Sequence, residues 1–265
     1  MDRLKTMSIL NNVCKKILIL VILIVETSWA VPVISEETGT TADEKTIKAE
    51  EDSALVSLWH LDEGKGEIIY DFSSNDNVGA LFGATWCEGK SGKALNFNGK
   101  DNYVEIPHSK SFEGIENFTL RLWFKPNVDL NSKLGGAKER QVLSKKGWTL
   151  YIFYDGRGFL GASFQNKEMV HQSMNVYKDY NKDTWYYLAF VYDGSNIFLF
   201  ENGSPLYSQA AEGIPETENA SLRLGADVEN KAYFNGIIDE IVLFKRAFSP
   251  TEIREDYIKT SGQNK

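Results

Sequence analysis

From Ala54 to about Tyr257 the chain is a succession of short apolar or alternating runs separated by turn residues. Leu55–Leu61 alternates apolar and polar positions, and Gly79–Trp86, Ala94–Asn98 and Tyr103–Ile106 follow. Phe118-Thr119-Leu120-Arg121-Leu122-Trp123-Phe124 alternates strictly and stops at Pro126. Trp148–Tyr154, Gly158–Phe164, Trp185–Tyr192, Ile197–Glu201, Leu222–Gly225 and Ile237–Phe244 continue the pattern. Such period-2 runs predict strands, because successive side chains in a strand point to opposite faces. Asp155-Gly156, Asp193-Gly194 and Asn202-Gly203 supply the positive-φ residues of tight hairpins. In Trp185–Tyr192 both alternating sets are apolar, which predicts a central strand covered on both sides. One segment reads as a helix, Ser249–Ile258, with a Ser cap, Pro250 at the first helical position and Glu252 three residues on. Roughly a dozen strands at 8–12 residue spacing predict an all-β sandwich or barrel with a short C-terminal helix.

Ahead of this region stand two other segments. Arg3, Lys5, Lys15 and Lys16 precede the apolar run Ile17–Val25, and Ser28-Trp29-Ala30 follows. A nine-residue run is too short to span a bilayer, which takes about 20 residues, and this order is that of a secretory signal over residues 1–30. The rival reading is an uncleaved anchor. Residues 31–53 hold seven acids between Glu36 and Asp52 and almost no large apolar residue, the pattern of an acidic disordered linker. The globular domain is then 54–260, and the chain is expected to be secreted or held in the cell envelope or periplasm, with no stable membrane span once the signal is cleaved.

The formal net charge is −8 and falls to about −10 without the signal, since 25 basic and 35 acidic residues remain. No Lys/Arg cluster exceeds a short pair, so nucleic acid is not an expected partner. After residue 30 only Cys87 remains, so no internal disulfide is available. Beside Trp86 and without an adjacent base, it reads as a small packed residue rather than a reactive thiol.

The run Phe234–Ile253 concentrates the chemistry. Asp239 and Glu240 stand side by side in an apolar strand, and a buried carboxylate needs a partner. In a regular strand the two point to opposite faces, and Ile237, Ile238, Ile241 and Val242 occupy the positions two away. That is not the facing carboxylate pair a glycosidase uses. Asp239 is left with two readings: an ion ligand, or an acceptor of backbone hydrogen bonds or partner of Lys245 or Arg246. Glu240 is expected on the solvent side. His60, His108 and His171 lack metal-ligand spacing, and no nucleophile elbow, P-loop or dinucleotide fingerprint occurs. Asp71 in Asp71-Phe72-Ser73 reads as the start of an Asx turn. The stretches 127–141 and 165–183 read as long polar loops suited to ligand contact, and Tyr177, Tyr180 and Tyr233 are the candidate stacking residues for a sugar, the alternative being that they pack under the loops.

Several motifs occur in a set order: Trp59-His60-Leu61-Asp62-Glu63-Gly64, Asp71-Phe72-Ser73, Ala94–Ile106, Phe118–Phe124, Thr184–Gly194, Phe198–Gly203, Leu224-Gly225-Ala226 and the Phe234–Ile253 run. Together they resemble the LamG-like jellyroll family, within the concanavalin A-like lectin/glucanase superfamily. The resemblance covers about residues 54–258. It implies an all-β, two-sheet antiparallel jellyroll sandwich and a structural Ca²⁺ where the first and last strands approach. The ion's ligands would map onto Asp62, Asn98, Asp101 and Asp239. With the signal segment, it implies an exported, non-catalytic, lectin-like module that binds a carbohydrate or glycoprotein, the lectin-like part from the resemblance and the export from residues 1–30. A protein-interaction or envelope scaffold domain is the alternative, and a polysaccharide hydrolase the less expected one.

Overall fold

The structure is a computed structural model that describes residues 53–130, 138–146, 148–154, 159–216, 219–227 and 232–262. The signal segment and the linker up to Asp52 lie outside the described residues. Among the described residues sixteen strands form two antiparallel sheets. Across the first run β14 (Ser204–Ala210), β13 (Asn196–Glu201), β12 (Tyr186–Tyr192), β7 (Phe118–Pro126), β16 (Asn235–Phe244), β5 (Lys93–Asn98) and β4 (Thr85–Glu88), and β1 (Leu55–Trp59) also pairs with β16. Across the second run β11 (His171–Tyr177), β10 (Phe159–Gln165), β9 (Trp148–Tyr154), β8 (Lys138–Lys145), β15 (Leu222–Leu224), β6 (Tyr103–Ile106), β3 (Gly79–Phe82) and β2 (Ile68–Ile69). This is the jellyroll sandwich that the resemblance implied, closed by the single α-helix among the described residues, α1 (Pro250–Ser261).

Alternation decides what each sheet buries. On β12 the set Tyr186, Leu188, Phe190 and Tyr192 enters the core between the sheets, against Phe97, Phe118 and Phe164. Tyr187, Ala189 and Val191 face outward, and α1 covers them with the fully buried Ile253. The strand is therefore covered on both sides, as its sequence demanded. Burying one such side chain contributes about 1.5–3 kcal/mol. The capping box is formed: Ser249 Oγ accepts from Glu252 N at 3.3 Å, and Glu252 Oε2 accepts from Ser249 N at 2.7 Å. Among the described residues no helix is long and apolar enough to cross a membrane.

Three stretches differ from expectation. Gly79–Trp86 is two strands, β3 and β4, parted at Gly83-Ala84. The 127–141 stretch is a loop only in part, since Lys138–Gln141 begins β8, while 131–137 lie outside the described residues. Within 165–183, His171–Tyr177 forms the edge strand β11, where Met174 is buried and His171, Asn175 and Tyr177 are exposed.

Candidate functional site

Asp239 and Glu240 sit where β16 changes partner. Residues 235–238 pair with β5, and residues 241–244 with β1. On the other edge the register to β7 slips between Asp239 and Val242, and Glu240 adopts φ 51°. This β-bulge cancels the simple alternation on which the sequence reading relied. Glu240 is accordingly not on the solvent side. It is 9% exposed, and both its carboxylate oxygens lie within hydrogen-bond reach of His60 Nδ1, at 3.0 and 3.1 Å. The Glu240 carbonyl, turned out of the ladder, accepts from Arg121 Nη1 at 2.7 Å. Arg121 Nε in turn faces Asp256 Oδ2 of α1 at 3.1 Å, and Tyr187 donates its hydroxyl to the same oxygen at 2.7 Å. The bulge is thus tied to the helix that covers the sheet.

Asp239 is fully buried and accepts three backbone N–H groups. Lys90 and Ser91 donate to Oδ2 at 2.7 and 3.1 Å, and Glu240 donates to Oδ1 at 2.9 Å. Of the two readings of Asp239, these contacts are the hydrogen-bonded one, with the β4–β5 turn as partner rather than Lys245 or Arg246. Arg246 pairs instead with Glu252, at 2.6 Å.

The expected calcium ligands do not gather around one point. Asp62 Oδ1 accepts from Lys93 N at 2.6 Å, and Gly92 is packed so closely that a Cβ there would lie 2.1 Å from that oxygen. Asn98 and Asp101 belong to a turn at the far end of β5, about 16 Å along the strand at ~3.3 Å per residue. There Asn98 Oδ1 accepts from Lys100 N and Asp101 N, and Asp101 Oδ1 accepts from Asn98 Nδ2 and Asn102 Nδ2. A calcium ion needs six to eight oxygens at about 2.3–2.6 Å. These carboxylate and amide oxygens turn their lone pairs to N–H donors that a cation would repel. Among the described residues no group of three or more His, Cys, Asp or Glu is placed to hold a metal. The four residues therefore do not fit a shared ion. EDTA is expected to leave the melting midpoint of the protein unchanged, whereas a bound structural ion would raise it by mass action.

Two groups here give the fold a pH dependence of one sign. Burial pushes the Asp239 carboxyl up from 3.8 to about 7, against the pull of the Ser91 and Lys90 amides. The hydrogen bond that His60 donates to Glu240 raises the His60 pKa above 6.5, against partial burial, with further help from the charges of Glu240 and Asp62. A group raised in the fold binds its proton more tightly there than in the unfolded chain. Its stabilisation is full below the unfolded value and lost as pH rises through the folded one. Stability is therefore expected to fall between about pH 4 and pH 7 through Asp239 and to keep falling above pH 6.5 through His60. Melts from pH 5 to pH 8.5 check this, and His60→Gln should flatten only the upper part.

The three candidate tyrosines are not one surface. Tyr180 is fully buried, its ring 5.2 Å from Phe124 and 4.8 Å from Tyr186, so it packs the core and presents no face to a ligand. The Asn181 N–H donates to Tyr186 Oη, and the Tyr180 backbone bridges to Leu130, which draws the segment inward. Tyr177 is 65% exposed at the end of β11. Tyr233 is half-buried, and its backbone bridges to Ala226 beyond β15. Strands β8, β9 and β10 lie between β15 and β11, which puts the two about 19 Å apart at ~4.8 Å per strand. Asp71 behaves as read: its Oδ1 accepts from Ser73 N at 2.9 Å, closing the Asx turn, and from Leu58 N at 2.8 Å.

A different surface has the features of a ligand platform. On β3, β6 and β15 the positions Leu81, Val104, Ile106, Leu222 and Leu224 enter the core. The alternate positions Ala80, Phe82, Tyr103, Glu105 and Arg223 face out, and Ile68 of β2 stands opposite Ala80. Phe82 and Ile68 are 44% and 50% exposed on this face. The Phe82 ring stacks on Tyr103 with centroids 4.6 Å apart and 15° between planes. The Arg223 guanidinium lies 4.8 Å from the Tyr103 centroid, and its Nη2 and Nε meet Glu105 Oε2 at 2.7 and 3.0 Å. A pre-ordered aromatic plate with polar groups beside it can hold a flat apolar ligand face and bond the ligand's hydroxyls. The sequence reading missed it, although its signal is present: aromatic and charged residues recur at every second position of strands whose other positions are aliphatic.

Known proteins agree with this architecture. Solved chains of similar fold include the binding domain of Paraclostridial Mosquitocidal Protein 1, at 18% identity and TM-score 0.63 over 78% of this chain and 52% of that one. The binding domain of Botulinum Neurotoxin DC in complex with SialylT matches at 11% identity and TM-score 0.62, over 79% and 52%. A botulinum neurotoxin type C structure, of a toxin whose cell entry depends on interaction with two ganglioside molecules, matches at 14% and 0.63, over 80% and 53%. Among curated relatives, an alpha-L-arabinofuranosidase of Bifidobacterium longum subsp. longum is 23% identical over 80% of this chain, and human Pappalysin-1 is 26% identical over 68%. The chain spans only 21% and 12% of those two proteins and about half of the solved chains. The family model Laminin_G_3, described as concanavalin A-like lectin/glucanases superfamily, matches residues 98–254, more than half of the sequence. The chain belongs to this laminin G-like family of the concanavalin A-like lectin/glucanases superfamily.

Proposed function

We propose that the chain is an exported, non-catalytic binding module whose ligand is a glycan, free or carried on a glycoprotein. The observation that carries this reading is the Phe82–Tyr103 stack, exposed on the outer face of the second sheet beside Glu105 and Arg223. An aromatic plate that is already ordered loses little side-chain entropy when a pyranose ring stacks on it. A neurotoxin binding domain of the same fold is found in complex with SialylT, and cell entry of the type C neurotoxin depends on interaction with gangliosides, which gives the reading a precedent. The non-catalytic part rests on Asp239 and Glu240, whose carboxylates are engaged by backbone amides and by His60. Export rests on the apolar run and small-residue site of residues 17–30.

The test is a glycan array followed by calorimetry on the best ligand. Phe82→Ala is expected to weaken binding by about tenfold or more, the scale of a stacked aromatic contact. Its melting midpoint should barely move, because Phe82 is 44% exposed. Retention of the glycan affinity in Phe82→Ala would overturn the assignment. Binding that persists after deglycosylation of a captured partner would favour the protein-interaction alternative.

A further inference from the structure

Resting on that reading, we infer that the platform selects uncharged sugars and discriminates against sialylated or sulfated ones. The geometry of the Glu105–Arg223 pair supports this. Both Nη2 and Nε of Arg223 converge on one oxygen, Glu105 Oε2, and Nη1 faces the Asp227 carbonyl at 3.4 Å. The guanidinium fork that would otherwise grip a carboxylate or sulfate is committed to Glu105. Glu105 Oε1 accepts from Ser221 Oγ at 3.3 Å and keeps acceptor capacity on its remaining lone pair. The polar border of the plate is thus a neutralised pair whose open valence is that of an acceptor, suited to a sugar hydroxyl.

An acidic sugar stacked on Phe82 would bring its anion within a few ångströms of Glu105. It would also approach a chain with a formal net charge of −8. With Arg223 neutralised by Glu105 the pair offers an anion no net attraction, and the anion loses the acceptor bond that a hydroxyl makes to Glu105; one hydrogen bond to a charged group is worth about tenfold in affinity. Direct attraction to Arg223 would first require breaking its bonds to Glu105. The platform therefore differs in expected preference from the neurotoxin domains that share its fold and meet SialylT and gangliosides.

The experiment uses the full chain on an array in which neutral oligosaccharides stand beside their acidic counterparts, such as lactose beside sialyllactose and neutral galactan fragments beside sulfated ones. Calorimetry follows on the best pair. The wild type is expected to bind the neutral member about tenfold tighter. Glu105→Gln removes the anion and releases the Arg223 fork, so the gap should narrow or reverse, while Phe82→Ala weakens both members alike. A preference for the acidic member, or a neutral preference that Glu105→Gln leaves unchanged, would overturn the selectivity and leave glycan binding standing. Binding to no glycan at all would remove both. Each variant's melt separates lost selectivity from lost fold.

Discussion

Asp239→Ala is expected to lower stability by about 3 kcal/mol, read as a shift of the denaturant midpoint at pH 6. The side chain is fully buried, and its two oxygens are the acceptors for the N–H groups of Lys90, Ser91 and Glu240. A buried donor left without an acceptor costs about 1–3 kcal/mol. Ser91 is exposed and Lys90 half-buried, so water can reach those two amides and hold the total near the lower end. The loss should shrink toward pH 8.5, where the wild-type carboxyl, raised to about 7, must ionise inside the fold. Asp239→Asn keeps one acceptor oxygen and should cost about half as much. A change below about 1 kcal/mol for alanine would mean that the β4–β5 turn does not depend on this carboxylate.

Asp256→Ala is expected to be at least as damaging, at about 3–5 kcal/mol. Arg121 is 7% exposed, and Asp256 is the carboxylate at its Nε, while Tyr187 donates to the same oxygen. Removing one partner of a buried pair leaves an uncompensated charge, which costs more than the pair itself contributes. The same change loosens α1, whose Ile253 covers the outer face of β12 and whose Thr260 accepts from Trp123 Nε1 at 3.2 Å. Arg121→Met removes the charge along with its need for a partner. It should recover part of the loss in the double variant, and a double variant no more stable than Asp256→Ala alone would contradict this account.

The fold was legible in the strands that bury a face. Phe118–Phe124 and Trp185–Tyr192 carry two-fold apolar periodicity because both of their faces meet other side chains. β11 was not legible. It lies at a sheet edge, and in His171-Gln172-Ser173-Met174-Asn175-Val176-Tyr177 only Met174 is buried and Val176 partly so, which leaves a hydrophobic alternation two residues long. β8 begins with Lys138-Glu139-Arg140-Gln141, and its polar first half reads as loop. The bulge at Glu240 was illegible for a different reason. A positive φ at a glutamate is imposed by the change of strand partner and by Arg121, neither of which is local in sequence. Alternation therefore misplaced Glu240 and concealed its bond to His60, which is 180 residues away.

The site followed the same logic. Tyr180 was singled out from a polar stretch, yet its ring fills space between Phe124 and Tyr186. Phe82, Tyr103, Glu105 and Arg223 come from three strands whose pairing brings them side by side, and no one of the three segments announces a site. The calcium ligands implied by the resemblance share the right residue types. Their oxygens are oriented by backbone amides at opposite ends of β5.

The central claim is that the outer face of β3, β6 and β15 is where ligand binds. It is tested most directly by titrating the best neutral glycan from the array into the ¹⁵N-labelled protein and mapping amide shifts. The account predicts that the largest shifts fall at residues 80–82, 103–105 and 222–224. Shifts confined to the 166–177 edge or to α1, with the platform amides unmoved, would contradict it.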